Sequence, residues 1–198
     1  LAPEHPFPAA LEDIFSVVKW VADRGDVIGG DPDRIAIAGD SSGGNLSAAV
    51  ALMDRDRGLR ALSHQALIYP ATDYAFDTDS YHENAEGYFL TREDMRFFWN
   101  HYLAKRIDRH HPYASPLRAP DLSGLPSTTI VTAEFDPLRD DGAIYAEQLA
   151  NADVSVEHRD YEGVIHGFFH LPEKIDAGRK CIKYVGKQLA EALVVENN

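Results

Sequence analysis

Short apolar runs alternate along the chain with stretches whose apolar residues recur every three or four positions, a pattern that predicts strands and helices taking turns. Residues 1–9 carry Pro3, Pro6 and Pro8 and read as an irregular lead-in. Beyond them Leu11, Ile14, Phe15 and Val18 fall on one face of a helix, which Gly29-Gly30-Asp31-Pro32 ends. Strands are predicted over residues 34–38, 66–69, 129–133 and 154–160, and helices over about 43–56, 138–151 and 175–193. The first three strands are nearly all apolar, as expected of strands buried on both faces of a parallel sheet. Residues 73–126 break the rhythm. They carry no strand signal, Thr91 opens a helix with Asp94 in a capping role, and the remainder is rich in His, Pro and Tyr. This segment reads as an excursion above the sheet.

The first strand feeds its helix through Gly39-Asp40-Ser41-Ser42-Gly43-Gly44. A turn so tight that only glycines fit around it forces its central residue out from the sheet edge, exposed and strained. Ser41 is that residue, with the geometry of a nucleophile. The following helix contributes its N-terminal dipole, and the backbone N–H of Ser42 faces the oxygen that turns negative when Ser41 attacks an acyl carbon. A phosphate-binding loop is the alternative reading of a glycine-rich strand-to-helix turn.

A serine hydroxyl needs a base to take its proton and a carboxylate to hold that base in the right tautomer. After the strand at 129–133 the chain reads EFDPLRDDG, which puts Asp136 at a strand's carboxyl end, where ligands of open parallel sheets collect. After the last strand it reads YEGVIHGFFH, which puts His166 in the corresponding loop. The chain order Ser, Asp, His is the order of an α/β-hydrolase.

GDSSGGN, AEFDPLRDDG and GVIHGFF, together with LAPEHPFPAALED at the start, resemble the hormone-sensitive-lipase-like family of carboxylesterases, also called bacterial esterase family IV. The resemblance runs over nearly the whole chain. It implies an α/β-hydrolase fold in which Ser41 is the nucleophile, His166 the general base and then acid, and Asp136 the orienting carboxylate. The reaction it implies is ester hydrolysis through an acyl-enzyme, with residues 73–126 helping to cap the acyl pocket. Short or medium acyl esters are the expected substrates, and no metal or cofactor is called for. Ser42 stands where the family usually has Ala, a swap that keeps the backbone donor.

The family's His-Gly-Gly-Gly segment, which supplies the other half of the oxyanion hole, does not occur here: Gly-Gly pairs stand only at Gly29-Gly30 and Gly43-Gly44, neither after a His. The chain begins without Met, and the expectation is a partial hydrolase domain. Its N-terminal part would be a separate polypeptide bound beside the strand at 34–38, whose apolar edge would otherwise be unpaired. The resemblance also makes a homodimer through the last strand and the C-terminal helix an expectation.

Composition narrows the partners. Of 198 residues 44% are hydrophobic, enough for one globular domain with a sizeable core. A formal net charge of −13 argues against nucleic acid, which is held by clustered Lys and Arg. Nothing resembles a membrane span. Cys181 is the sole cysteine, so no internal disulfide forms, and a cytoplasmic location is the expectation.

Several groups carry blander readings. His166 and His170 stand at i and i+4 as metal ligands can, but Gly167 occupies the place where the zinc-protease pattern needs Glu. Asp140 and Asp141 suit a helix N-terminus better than a cation site. Asp40 reads as a structural hydrogen-bonding residue. His5, His64, His82, His101, His158 and the pair His110-His111 read as surface or capping residues. Phe97, Phe98 and Trp99, with Tyr102 and Leu103, pack a cap helix or line the acyl pocket. Two other functions share these residues: amide or lactone hydrolysis, which uses the same triad, and binding without turnover, as in hormone receptors related to this family. Such receptors tend to lose a triad member, and all three are present here.

Overall fold

The computed structural model describes residues 1–194. Four parallel strands, β1 (Ile35–Asp40), β2 (Leu62–Ile68), β3 (Ser127–Phe135) and β4 (Val156–Ile165), form one sheet in the order β1-β2-β3-β4. Helix α1 (Ala9–Arg24) precedes β1, α2 (Ser42–Asp56) joins β1 to β2, α5 (Arg139–Asn151) joins β3 to β4, and α6 (Asp176–Leu193) closes the described chain. Between β2 and β3 lie α3 (Asp79–Glu83) and α4 (Arg92–Tyr102), inside the segment expected to stand above the sheet.

The period-two alternation of the central strands sorts the core into two layers. Leu67 and Ile130 face one way, into a cluster with Leu11, Phe15 and Val18 of α1, residues 48–53 of α2, and Tyr145 and Leu149 of α5. Ala66, Ile68, Val131 and Ala133 face the other way, toward Phe168 and the α6 residues Cys181 and Val185. Helix α2 is apolar nearly all round because it is enclosed between the sheet and α1. The excursion packs a third cluster of its own, in which Phe76, Tyr81, Leu90, Met95 and Trp99 meet Leu138 at the start of α5. Its principal helix opens as expected: Thr91 Oγ1 accepts from Asp94 N–H at 3.0 Å, and an Asp94 carboxylate oxygen accepts from Thr91 N–H at 3.0 Å.

Two expectations need correction. β1 is not buried on both faces: it is a sheet edge, Ile35 is buried, Ala36 and Ile37 are partly covered, and Ala38 is exposed. His64 is no surface residue. It lies in the core of β2, its ring nitrogens paired with Ser127 Oγ at 2.8 Å and Thr129 Oγ1 at 3.0 Å on β3. Among the described residues, no helix is long and apolar enough to cross a membrane.

Candidate active site

The turn between β1 and α2 is closed by backbone proximity. A Cβ on Gly39 would overlap the Gly43 carbonyl and lie 2.8 Å from Ser47 Oγ, so only glycine allows the strand and helix to approach this closely. Ser41 takes the strain: its φ of 53° and ψ of −114° lie where a side chain is rarely tolerated. Its amide donates to Ile68 O at 2.8 Å, and its carbonyl accepts from Asn45 N–H at 3.1 Å, which fixes the hydroxyl at the carboxyl end of the sheet.

Asp136 and His166 reach the same rim from the ends of β3 and β4. The Asp136 carboxylate is fully buried, one oxygen accepting from Leu138 N–H at 2.8 Å and the other from His166 Nδ1–H at 2.6 Å. That bond fixes the tautomer, leaving Nε2 of His166 to accept from the Ser41 hydroxyl at 3.0 Å. The arrangement can withdraw a proton from Ser41 and stabilise the resulting imidazolium. Ser42 occupies the first helical position of α2, where an amide has no intrahelical partner and the dipole favours negative charge. Beside Ser41 and Ser42 opens a cavity of about 730 Å³, largely apolar, with Leu46, Met95, Phe97 and Trp99 in its wall. The aromatic residues of α4 therefore divide: Trp99 is buried and lines the cavity, whereas Phe97 and Phe98 line it while remaining more than half exposed.

Residues given other readings contribute around this centre. Asn45 is buried and its amide donates to Ala71 O at 2.7 Å and Ala114 O at 2.8 Å, tying α2 to the chain that leads into the excursion and to a point within it. A polar residue at an apolar position of a predicted helix is the signal that could have found it. Asp140 and Asp141 do sit in the first turn of α5, but they also bind the excursion: Asp140 accepts from Ser80 N–H at 2.7 Å and Asp141 from Thr72 N–H at 3.1 Å. Burial holds the Asp141 carboxyl well above the usual carboxylate range. Tyr69, at the end of β2, lays its ring 4.5 Å from the His166 imidazole, and burial, aided by the Asp40 charge, pushes its phenol up. Among the described residues no group of three or more His, Cys, Asp or Glu side chains is placed to hold a metal ion.

Known proteins agree with this architecture. Carboxylesterase NlhH of Mycobacterium tuberculosis is 45% identical over 184 residues, covering 91% of this chain and 58% of the relative. The thermophilic carboxylesterase EstE1, cloned from a metagenomic library, superposes with a TM-score of 0.95 at 42% identity, over 98% of this chain and 67% of that one. A thermostable esterase from Pseudomonas putida superposes equally well, with a TM-score of 0.95 at 40% identity, over 98% of this chain and 62% of that one. The chain thus spans somewhat less than three fifths of the length of the curated relative, NlhH. A family model described as alpha/beta hydrolase fold matches residues 1–170, and with these relatives it establishes that the chain belongs to that family, in keeping with the hormone-sensitive-lipase-like resemblance of its motifs.

Proposed function

We propose that this chain carries the catalytic centre of a serine carboxylesterase acting on short- to medium-chain acyl esters. One observation carries the reading: an unbroken relay from Ser41 through His166 to the buried Asp136, with bonds of 3.0 and 2.6 Å, opening on an apolar cavity of about 730 Å³. A cavity of that size suits a small ester. Ser41 Oγ attacks the acyl carbon while its proton passes to His166 Nε2; the carbonyl oxygen becomes an oxyanion beside Ser42 N–H. His166 then protonates the departing alcohol, leaving an acyl-enzyme. Water attacks the acyl carbon with His166 again as base, releasing the acid and restoring Ser41.

Residues 73–126 serve as the cap on this reading, pinned by Asn45, Asp140 and Asp141 and contributing Met95 and Trp99 to the acyl wall. The second oxyanion donor would come from an N-terminal segment paired along the free edge of β1, with a second copy meeting β4 and α6. One such donor contributes a factor of roughly 10² to 10³ to turnover.

The test is labelling by a fluorophosphonate and hydrolysis of p-nitrophenyl esters of increasing acyl length, with Ser41→Ala alongside. An adduct on Ser41, absent from the variant, and loss of hydrolysis in that variant are expected. A Ser41→Ala protein that still turned over esters would end the proposal.

A further inference from the structure

His166 and His170 stand at a spacing that suggests a shared metal, yet they turn to different partners. His170 Nε2–H donates to an Asp40 carboxylate oxygen at 2.8 Å, and the Tyr69 hydroxyl lies 3.4 Å from the same oxygen. Asp40 immediately precedes Ser41. The Tyr69 ring lies 4.5 Å from the His166 imidazole on one side and 6.0 Å from the Phe168 ring on another. The three side chains thus connect the residue before the nucleophile, the ring of the base, and the far end of the loop that bears the base.

We propose that Asp40, Tyr69 and His170 form a positioning clamp for His166, a role that rests on the reading of Ser41 and His166 as nucleophile and base. The need for it follows from geometry. The bonds from Nδ1 to Asp136 and from Nε2 to Ser41 hold the imidazole at its two nitrogens, and the Tyr69 ring, 4.5 Å away and inclined at 53°, packs beside it and limits its tilt. Gly163 and Gly167 flank His166 in left-handed conformations, with φ of 71° and 83°, and Gly163 N–H donates to a Glu134 carboxylate oxygen at 2.6 Å. Phe168, fully buried, holds the loop from inside. His170 holds it from outside through Asp40, and the same carboxylate orients the Tyr69 hydroxyl. Tyr69 is buried and stays protonated, so it remains a donor to Asp40 wherever the enzyme works.

The clamp's outer bond contributes little to folding, because the His170 and Asp40 side chains are 62% and 37% exposed and such pairs are weak. Its effect falls on the reaction, where a displacement of about 1 Å can cost a hundredfold.

The experiment uses the full natural polypeptide with His170→Ala, His170→Gln, Tyr69→Phe and the His170→Ala/Tyr69→Phe double variant. It measures kcat and KM for a small p-nitrophenyl ester, the rate of Ser41 labelling by a fluorophosphonate, and Tm. His170→Ala is expected to lower kcat and the labelling rate about tenfold with KM and Tm nearly unchanged, a fraction of the full misplacement penalty. His170→Gln places an amide N–H where Nε2 was and restores most of the rate. Tyr69→Phe slows both rates as well, and the double variant loses less than the product of the single losses, because the two act on one carboxylate. Wild-type rates in His170→Ala, a His170→Gln protein as slow as His170→Ala, or a change in KM with kcat intact would overturn the clamp. If the unsubstituted protein failed to label at Ser41, the esterase reading would fall and the clamp with it. Normal labelling of both the unsubstituted protein and His170→Ala sinks the clamp alone.

Discussion

Gly39, Gly43 and Gly44 belong to one turn, but the space around each dictates a different outcome on replacement by alanine. A methyl on Gly39 would overlap the Gly43 carbonyl and stand 2.8 Å from Ser47 Oγ; most of what it meets is backbone, which no rotamer change can relieve. Restoring ordinary contact near 3.5 Å requires α2 to retreat from β1 by on the order of 1 Å. That displacement moves Ser41 relative to His166 and predicts at least a hundredfold loss of labelling, with overpacking costing about 1–3 kcal/mol or more. On Gly44 the methyl would meet Pro70 Cβ at 2.8 Å and Cα at 3.0 Å, a closer fit against a stiff ring that predicts an intermediate loss. On Gly43 it would meet nothing within 4 Å, and the residue lies in the first turn of α2 without a positive φ. Gly43→Ala should therefore stabilise, by about 0.5 kcal/mol, through the smaller entropy lost on folding. In a chain of this size that raises Tm by about 1–2 °C. Thermal denaturation and fluorophosphonate labelling of the three variants give the ranking. A Gly39→Ala protein that labelled at the wild-type rate, or a Gly43→Ala protein less stable than Gly39→Ala, would refute the close approach of β1 and α2.

Two further outcomes follow from buried carboxylates. Asp141 has its folded pKa raised by burial, so the folded state holds a proton that the unfolded state releases above the ordinary carboxyl range, and its contribution to stability falls as pH rises. Asp141→Asn, which keeps an oxygen for Thr72 N–H, should remove a slope of up to about 1.4 kcal/mol per pH unit and gain most at pH 8. Urea denaturation between pH 4.5 and 8 checks this, and parallel curves for the two proteins would contradict it. Asp136→Asn presents an amide to His166 Nδ1 and favours the wrong tautomer, so kcat should fall about 10⁴-fold while the fold persists; a loss under tenfold would remove Asp136 from the orienting role.

Much of the fold was legible because each element's own residues declare it. Apolar strand runs, amphipathic helices and the Thr91–Asp94 box lie in windows of a few positions, and every predicted strand has a counterpart. Boundaries moved where pairing outweighs local preference. β2 begins at Leu62 rather than Ala66 because polar residues hidden in it pair with the neighbouring strand: His64 with Ser127 and Thr129, and the Gln65 amide N–H with Thr128 Oγ1 at 2.9 Å, although Gln65 Oε1 is left without a partner among the described residues. β1 continues through Gly39 and Asp40, poor strand formers, because Leu67 and Ile68 stand opposite them in the ladder. The edge position of β1 was expected, but the exposure of Ala38 on its face was not, because an apolar run does not say how far neighbouring elements cover it.

Ser41, Asp136 and His166 were legible as a set because each stands in a loop whose type the local sequence announces, and the order of strands brings those loops to one rim. What supports them was not. Asn45 binds Ala114, Asp141 binds Thr72, and His170 binds Asp40 across separations of 69, 69 and 130 residues, and nothing in the neighbourhood of any of them points to its partner. The physical reason for such distant ties lies in the turn itself. Holding Ser41 at a φ of 53° costs on the order of 1–3 kcal/mol, and burying Asp136 adds a desolvation cost that only its two bonds offset. The strain at Ser41 cannot be met within the turn, which is glycine-rich and has few side chains to pack. It is met by the layers that enclose it: α2 buried between sheet and α1, and the excursion fastened down by Asn45, Asp140 and Asp141. The strained serine thus depends on those remote bonds, and on the proposed reading the residues that fasten the excursion over the cavity also hold the nucleophile in place.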